Sequence, residues 1–120
     1  MGKPGATGIT RIIHATRYSM QGFKAGLKHE AALRQELLLA VIMTPLAFAF
    51  ADSVVELLLL IIMPWLTFTV EILNSAIEAV VDRFGDEWHE LSGRAKDLGS
   101  AAVFVMLSLT FITWAAIIFF

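Results

Sequence analysis

Three long apolar runs constrain this chain more than any other feature: Leu37–Ala51 (LLLAVIMTPLAFAFA), Val54–Val70 (VVELLLLIIMPWLTFTV) and Ala101–Phe120 (AAVFVMLSLTFITWAAIIFF). A bilayer's hydrocarbon core is about 30 Å thick, and a helix needs roughly 20 residues to cross it. The third run carries no charge and meets that length. The second, interrupted only by Glu56, is just long enough, and the first reaches it by taking in Arg34–Glu36 as an interfacial flank. With 120 residues, 58% of them apolar and 17% charged, too little polar chain remains to cover three such helices in water. The expectation is an all-α membrane protein forming one domain over residues 1–120. Its spans lie near 34–51, 54–70 and 99–120, and the second continues as helix to about residue 82.

The same composition excludes a soluble globular domain and a disordered one. Without cysteine there is no disulfide framework, thiolate metal site or Cys nucleophile. A net charge of −2 gives no sign of nucleic-acid binding. The first thirty residues are polar and basic, so no cleaved secretory signal is expected.

Charge sets the expected orientation. Lys3, Arg11, Arg17, Lys24, Lys28 and Arg34 precede the first run; Arg83, Arg94 and Lys96 lie between the second and third. The positive-inside rule puts the N-terminus and segment 71–100 in the cytoplasm, with the 52–53 turn and the C-terminus outside. Between residues 8 and 29, Ile9, Ile12, Ile13, Met20, Phe23 and Leu27 recur near helical spacing, complemented by Arg11, His14, Arg17, Lys24 and Lys28. That pattern predicts an amphipathic helix in the membrane surface, its basic side toward anionic headgroups. Gly22 and Gly26 weaken it, and a break is expected there.

The segment most informative about chemistry is Glu71-Ile-Leu-Asn74-Ser75-Ala-Ile-Glu78-Ala-Val-Val-Asp82. At about 100° per residue, Asn74, Ser75, Glu78 and Asp82 all fall within about 60° of Glu71, and the apolar residues take the opposite side. The stripe continues the second span, with Glu71 just past the hydrocarbon edge and Glu78 roughly 10 Å further on. A solvated face is one explanation. Such a face normally includes Lys or Arg, and none falls here before Arg83. Anions without compensation on their own helix point instead to a hard cation, and Mg²⁺ characteristically takes one or two carboxylates plus phosphate oxygens.

Segment 86–100 adds Arg94, Lys96 and Asp97 just before the third run, suited either to holding a polyphosphate or to anchoring a helix end. No Walker A or kinase glycine loop is present, so a nucleotide site would be built from helix side chains. Glu30 reads by itself as a cap or surface residue. Trp65 and Trp114 read as packing or lipid-facing, Trp88 as an interface anchor, and Pro45 and Pro64 as tolerated kinks. Asp52 and Glu56 belong to the outer interface. His14, His29 and His89 have no metal-ligand spacing.

The stretches VEILNSAIEAVVDR (70–83) and HELSGRAKDLGSAAV (89–103), with EAALRQE (30–36) upstream, resemble the prokaryotic integral-membrane diacylglycerol kinase family over almost the whole chain. The resemblance implies a homotrimeric bundle with active sites shared between subunits in the bacterial inner membrane. It implies transfer of the ATP γ-phosphoryl group to diacylglycerol, giving phosphatidic acid, with Mg²⁺. Position by position, Glu71 matches the catalytic base, and Glu30 and Glu78 the metal-binding acids. Arg11, Tyr18, Asn74, Glu87, His89, Lys96 and Asp97 match residues at the nucleotide site, which Glu30 and Glu78 also reach. Arg11, Ser19, Glu71 and Ser100 match positions near the lipid. Arg17 and Pro45 depart from the usual pattern. Two alternatives stay open: an undecaprenol kinase of the same fold, and a non-enzymatic scaffold or ion-pathway subunit whose carboxylates line an interface.

Overall fold

A computed structural model describes residues 7–85 and 87–120; Lys3 and Asp86 lie outside the described residues. Four α-helices follow in order: α1 (Gly8–His29), α2 (Ala31–Phe50), α3 (Val54–Asp82) and α4 (Glu90–Phe119). The last three are each long and apolar enough to cross a membrane. The chain divides into two compact units, one ending at Ala31 and one running from Ala32 to Phe120.

In the first unit, α1 passes through Gly22 and Gly26 without interruption. The expected break is absent because two glycines, at about 1 kcal/mol each, do not outweigh the continuous hydrogen bonding of a 22-residue helix. The interruption comes at Glu30, in extended conformation (φ −118°, ψ 109°), whose N–H still donates to the Gly26 carbonyl at 2.9 Å.

The second unit begins with α2, whose buried residues Leu33, Ala40 and Ala47 recur every seven positions and form one stripe. Helix α3 starts at Ser53, whose hydroxyl accepts from the Glu56 N–H at 3.1 Å, while the Glu56 carboxylate accepts from the Asp52 N–H at 3.4 Å. Glu56 is therefore a capping acid at a helix N-terminus, where a negative charge is favoured. From there α3 runs 29 residues without a break, roughly 43 Å at about 1.5 Å per residue. Its C-terminal turn ends in Gly85 at φ 95°, a left-handed conformation suited to glycine.

Helices α3 and α4 pack antiparallel, with contacts from Leu60 to Asp82 on α3. The contacts run in reverse order, from Asp82–Lys96 through Asn74–Gly99 and Thr67–Thr110 to Leu60–Trp114. On α3 the buried side chains are Leu60, Pro64, Thr67, Phe68, Glu71 and Asn74. Leaving out Phe68, they alternate at four- and three-residue steps, the spacing of a helix–helix seam.

Both tryptophans within the spans turn out to be hydrogen-bond donors between helices. Trp65 donates to the Thr44 hydroxyl on α2 at 2.9 Å, and Trp114 donates to the Leu60 carbonyl on α3 at 3.1 Å. The second bond has a local cause. Pro64 has no N–H, so the carbonyl four residues earlier, that of Leu60, loses its normal helical partner. The indole of Trp114 supplies the missing donor. Between these points the Thr67 and Thr110 hydroxyl oxygens lie 2.9 Å apart, each also within reach of a carbonyl four residues back, so their two protons are shared among three contacts.

Candidate active site

The polar stripe of α3 faces inward at Glu71 and Asn74, is half-buried at Ser75 and Glu78, and reaches the surface at Asp82. Glu71 and Asn74 are each only 7% exposed, whereas Leu73 and Val80 on the opposite side are 60% and 62% exposed. A helix leaving the membrane into water would show the reverse, so a solvated face does not describe Glu71 and Asn74. Glu71 and Asn74 continue the seam that packs Leu60, Pro64 and Thr67. The Asn74 side-chain amide donates to Oε1 of half-buried Glu78 at 3.2 Å, across one helical turn. The remaining acceptor of that amide, Oδ1, and the hydroxyl of Ser75 are buried without a hydrogen-bond partner.

Opposite this stripe lies the first half of α4. His89 caps the helix by accepting the Leu91 N–H at Nδ1, at 3.1 Å. Arg94 pairs with Glu90 at 3.5 Å on the exposed side. Lys96 reaches across to Asp82 at 2.6 Å. The expectation of a wholly uncompensated acidic stripe is therefore corrected at its far end: the positive partner comes from the neighbouring antiparallel helix, where spacing along α3 alone could not reveal it. Glu78 has no lysine or arginine within salt-bridge distance among the described residues.

Glu87, His89 and Lys96, with Asp82 and Trp88, line a cleft of about 650 Å³ beside the α3–α4 turn. Asp97 lines a neighbouring cleft with Trp88 and Arg94. Trp88, 78% exposed, lines both clefts, as does Gly93. Ser100 is exposed on α4. In the first unit Arg11 is exposed and Tyr18 half-buried, its ring 6.4 Å from that of His14. Ser19 donates its hydroxyl proton to the Ala15 carbonyl at 2.9 Å, which leaves its lone pairs available. Glu30 is half-buried at the extended residue that ends α1.

The structure thus joins Asn74 to Glu78 and gathers Glu87, His89 and Lys96 about one cleft. It places Glu71 on the same buried seam as Asn74. Two participants escaped the sequence reading. Gly99 is buried directly against the Asn74 carboxamide, and nothing in a single glycine announces that. The Asp82–Lys96 pair is a contact between helices with no signature along either.

A divalent cation suits this donor set only in a restricted way. Among the described residues, no three His, Asp or Glu side chains converge on one point. Glu71 and Glu78 lie about 10 Å apart along the helix axis, too far for one small ion to bridge. The half-buried Glu78 carboxylate and the unpartnered Asn74 oxygen are hard oxygen donors. They match Mg²⁺, which takes one or two protein oxygens and completes its shell with phosphate and water.

An all-helical membrane protein with acidic and amide side chains built into a helix seam is the class that fold and site define. The prokaryotic diacylglycerol kinase family matches residues 17–118. The diacylglycerol kinase of Haemophilus influenzae is 50% identical over 95% of this chain and 97% of its own length. That of Pseudomonas aeruginosa is 51% identical over 95% and 93%, and that of Escherichia coli K12 49% identical over 93% and 92%. This chain belongs to the prokaryotic diacylglycerol kinase family.

Proposed function

We propose that the chain transfers the γ-phosphoryl group of ATP to the free hydroxyl of diacylglycerol, giving phosphatidic acid and ADP. The observation that carries this reading is the inward-facing Glu71–Asn74–Glu78 stripe, at the end of a membrane-crossing helix in a chain of this family. A diacylglycerol hydroxyl rests at the boundary between hydrocarbon and water, and Glu71 follows immediately on the apolar run that ends at Val70.

In the reaction, Glu71 takes the proton of the lipid hydroxyl as its oxygen bonds to the γ-phosphorus and the bond to the β-phosphate oxygen breaks. Its burial keeps water away from the carboxylate. Glu78 would hold Mg²⁺, whose bound charge would offset that of the phosphates, and Glu30 is a second candidate metal-binding acid. Asn74 fixes Glu78 through its amide. Lys96, positioned by Asp82, offers a cation to the phosphates. Arg11, Tyr18, Glu87, His89 and Asp97 complete the nucleotide contacts, and Ser19 and Ser100 lie beside the lipid.

The same reading makes α1 an amphipathic helix in the membrane surface, with Ile9, Ile12 and Met20 in the acyl boundary and Arg11, Arg17 and Lys24 toward headgroups. The whole chain acts as one kinase domain and works as a homotrimer with shared sites. It resides in the bacterial inner membrane, with the N-terminus and the α3–α4 turn cytoplasmic and the C-terminus outside.

The test is ATP-dependent incorporation of phosphate into diacylglycerol and, side by side, into undecaprenol in mixed micelles, with and without Mg²⁺. Faster turnover of diacylglycerol that requires Mg²⁺ is expected. Greater activity on the polyprenol would reassign the substrate, and no ATP turnover on either would remove the enzyme reading.

A further inference from the structure

Gly99 sits on α4 where that helix meets the buried end of the α3 stripe. A methyl group placed on it would overlap the Oδ1 atom of Asn74 and lie 3.1 Å from Asn74 Cγ and 3.7 Å from Cβ. The three nearest atoms all belong to the Asn74 side chain, so that side chain occupies the space Gly99 leaves. That side chain is 7% exposed and spends one donor on Glu78 at 3.2 Å. Its oxygen lies in the volume an alanine methyl at position 99 would take. By contrast, a methyl group on Gly93, two turns earlier on α4, would meet only the tip of Trp88 at an ordinary 3.6 Å.

We infer that Gly99 is a positioning residue: it leaves space that holds the Asn74 carboxamide in the orientation that hydrogen-bonds and aims Glu78. Gly99 touches neither substrate nor metal and acts only through Asn74. The inference rests on the metal role proposed above for Glu78.

Gly99→Ala pushes the carboxamide away and removes the Asn74–Glu78 bond. A hydrogen bond to a charged group in such a setting is worth roughly tenfold or more in an equilibrium constant. The expected result is a rise of about tenfold in KM for MgATP, relieved by excess Mg²⁺, with KM for diacylglycerol unchanged. Loss of packing alone would not single out the nucleotide.

A double-mutant cycle with Asn74→Ala separates this effect from simple misfolding. Once position 74 is alanine there is nothing to displace, so Gly99→Ala should add no further change in KM for MgATP. If Gly99→Ala by itself does not fold, the double variant should recover a cooperative thermal transition in detergent. Equal losses from Gly99→Ala in both backgrounds, or a double variant that fails to fold, would overturn the inference. Glu78→Gln tests the underlying reading separately. An unchanged Mg²⁺ requirement there sinks the metal role itself. A changed one, together with a silent Gly99→Ala, sinks only the positioning.

Discussion

Two halves of the same α3 seam handle buried polarity in opposite ways. From Leu60 to Thr67, every polar group brought into the interface finds a partner. Thr67 and Thr110 bond each other, and Trp114 answers the carbonyl left open by Pro64. From Glu71 to Glu78 the seam continues with the same spacing, yet Asn74 Oδ1 and Ser75 Oγ are buried without partners. A polar group buried without a partner typically costs about 1–3 kcal/mol, and a folded chain tolerates that where something else is meant to bind. The contrast separates polarity that holds helices together from polarity left open, which the proposed function assigns to a substrate.

Four experiments can break or sharpen that division. The largest effect is expected from Glu71→Gln, which removes the proton acceptor. Turnover should fall by about 10²–10⁴-fold, while MgATP binding measured by calorimetry stays within a few-fold. Glu78→Gln comes next, with a rise of roughly ten- to a hundredfold in KM for MgATP; an unchanged KM would move the metal elsewhere. Neither should lower thermal stability much.

The other half should show the reverse, losing stability and keeping catalysis. Trp114→Phe strands the Leu60 carbonyl, at a cost of about 1–3 kcal/mol in unfolding free energy, read by thermal or denaturant unfolding in micelles. Adding Pro64→Ala restores an N–H to that carbonyl and should recover most of the loss. Additive losses would show that the indole does not serve the proline gap. Thr67→Val is expected to be smallest, about 0.6 kcal/mol, with kcat and both KM values unchanged. A kinetic effect there would erase the boundary between the halves.

Much of this arrangement was legible in the amino-acid order. Apolar run length announces α2, α3 and α4, because a bilayer imposes a minimum length. The clustering of Glu71, Asn74, Glu78 and Asp82 on one stripe follows from helical spacing alone. What was not legible depends on a second helix. Whether the stripe faced water or protein was undecided until α4 lay against it, and Lys96 as the partner of Asp82 is invisible from either helix alone. Trp65 does pack, its ring edge-on to Phe68, but the hydrogen bonds of Trp65 and Trp114 were missed for the same reason: an indole N–H in an apolar run shows no target until the neighbouring helix is in place. At Gly22 and Gly26 a local penalty was given too much weight against a long helix.

The pairing of Pro64 with Trp114 also restricts the order in which these two positions can change over generations. A lineage that first replaces the proline gives the Leu60 carbonyl a backbone partner again, and the indole is then free to drift. A lineage that loses the indole first must carry a bare carbonyl within the bundle until a second substitution arrives. The two routes lead to the same pair of residues, but only one avoids a weakened intermediate.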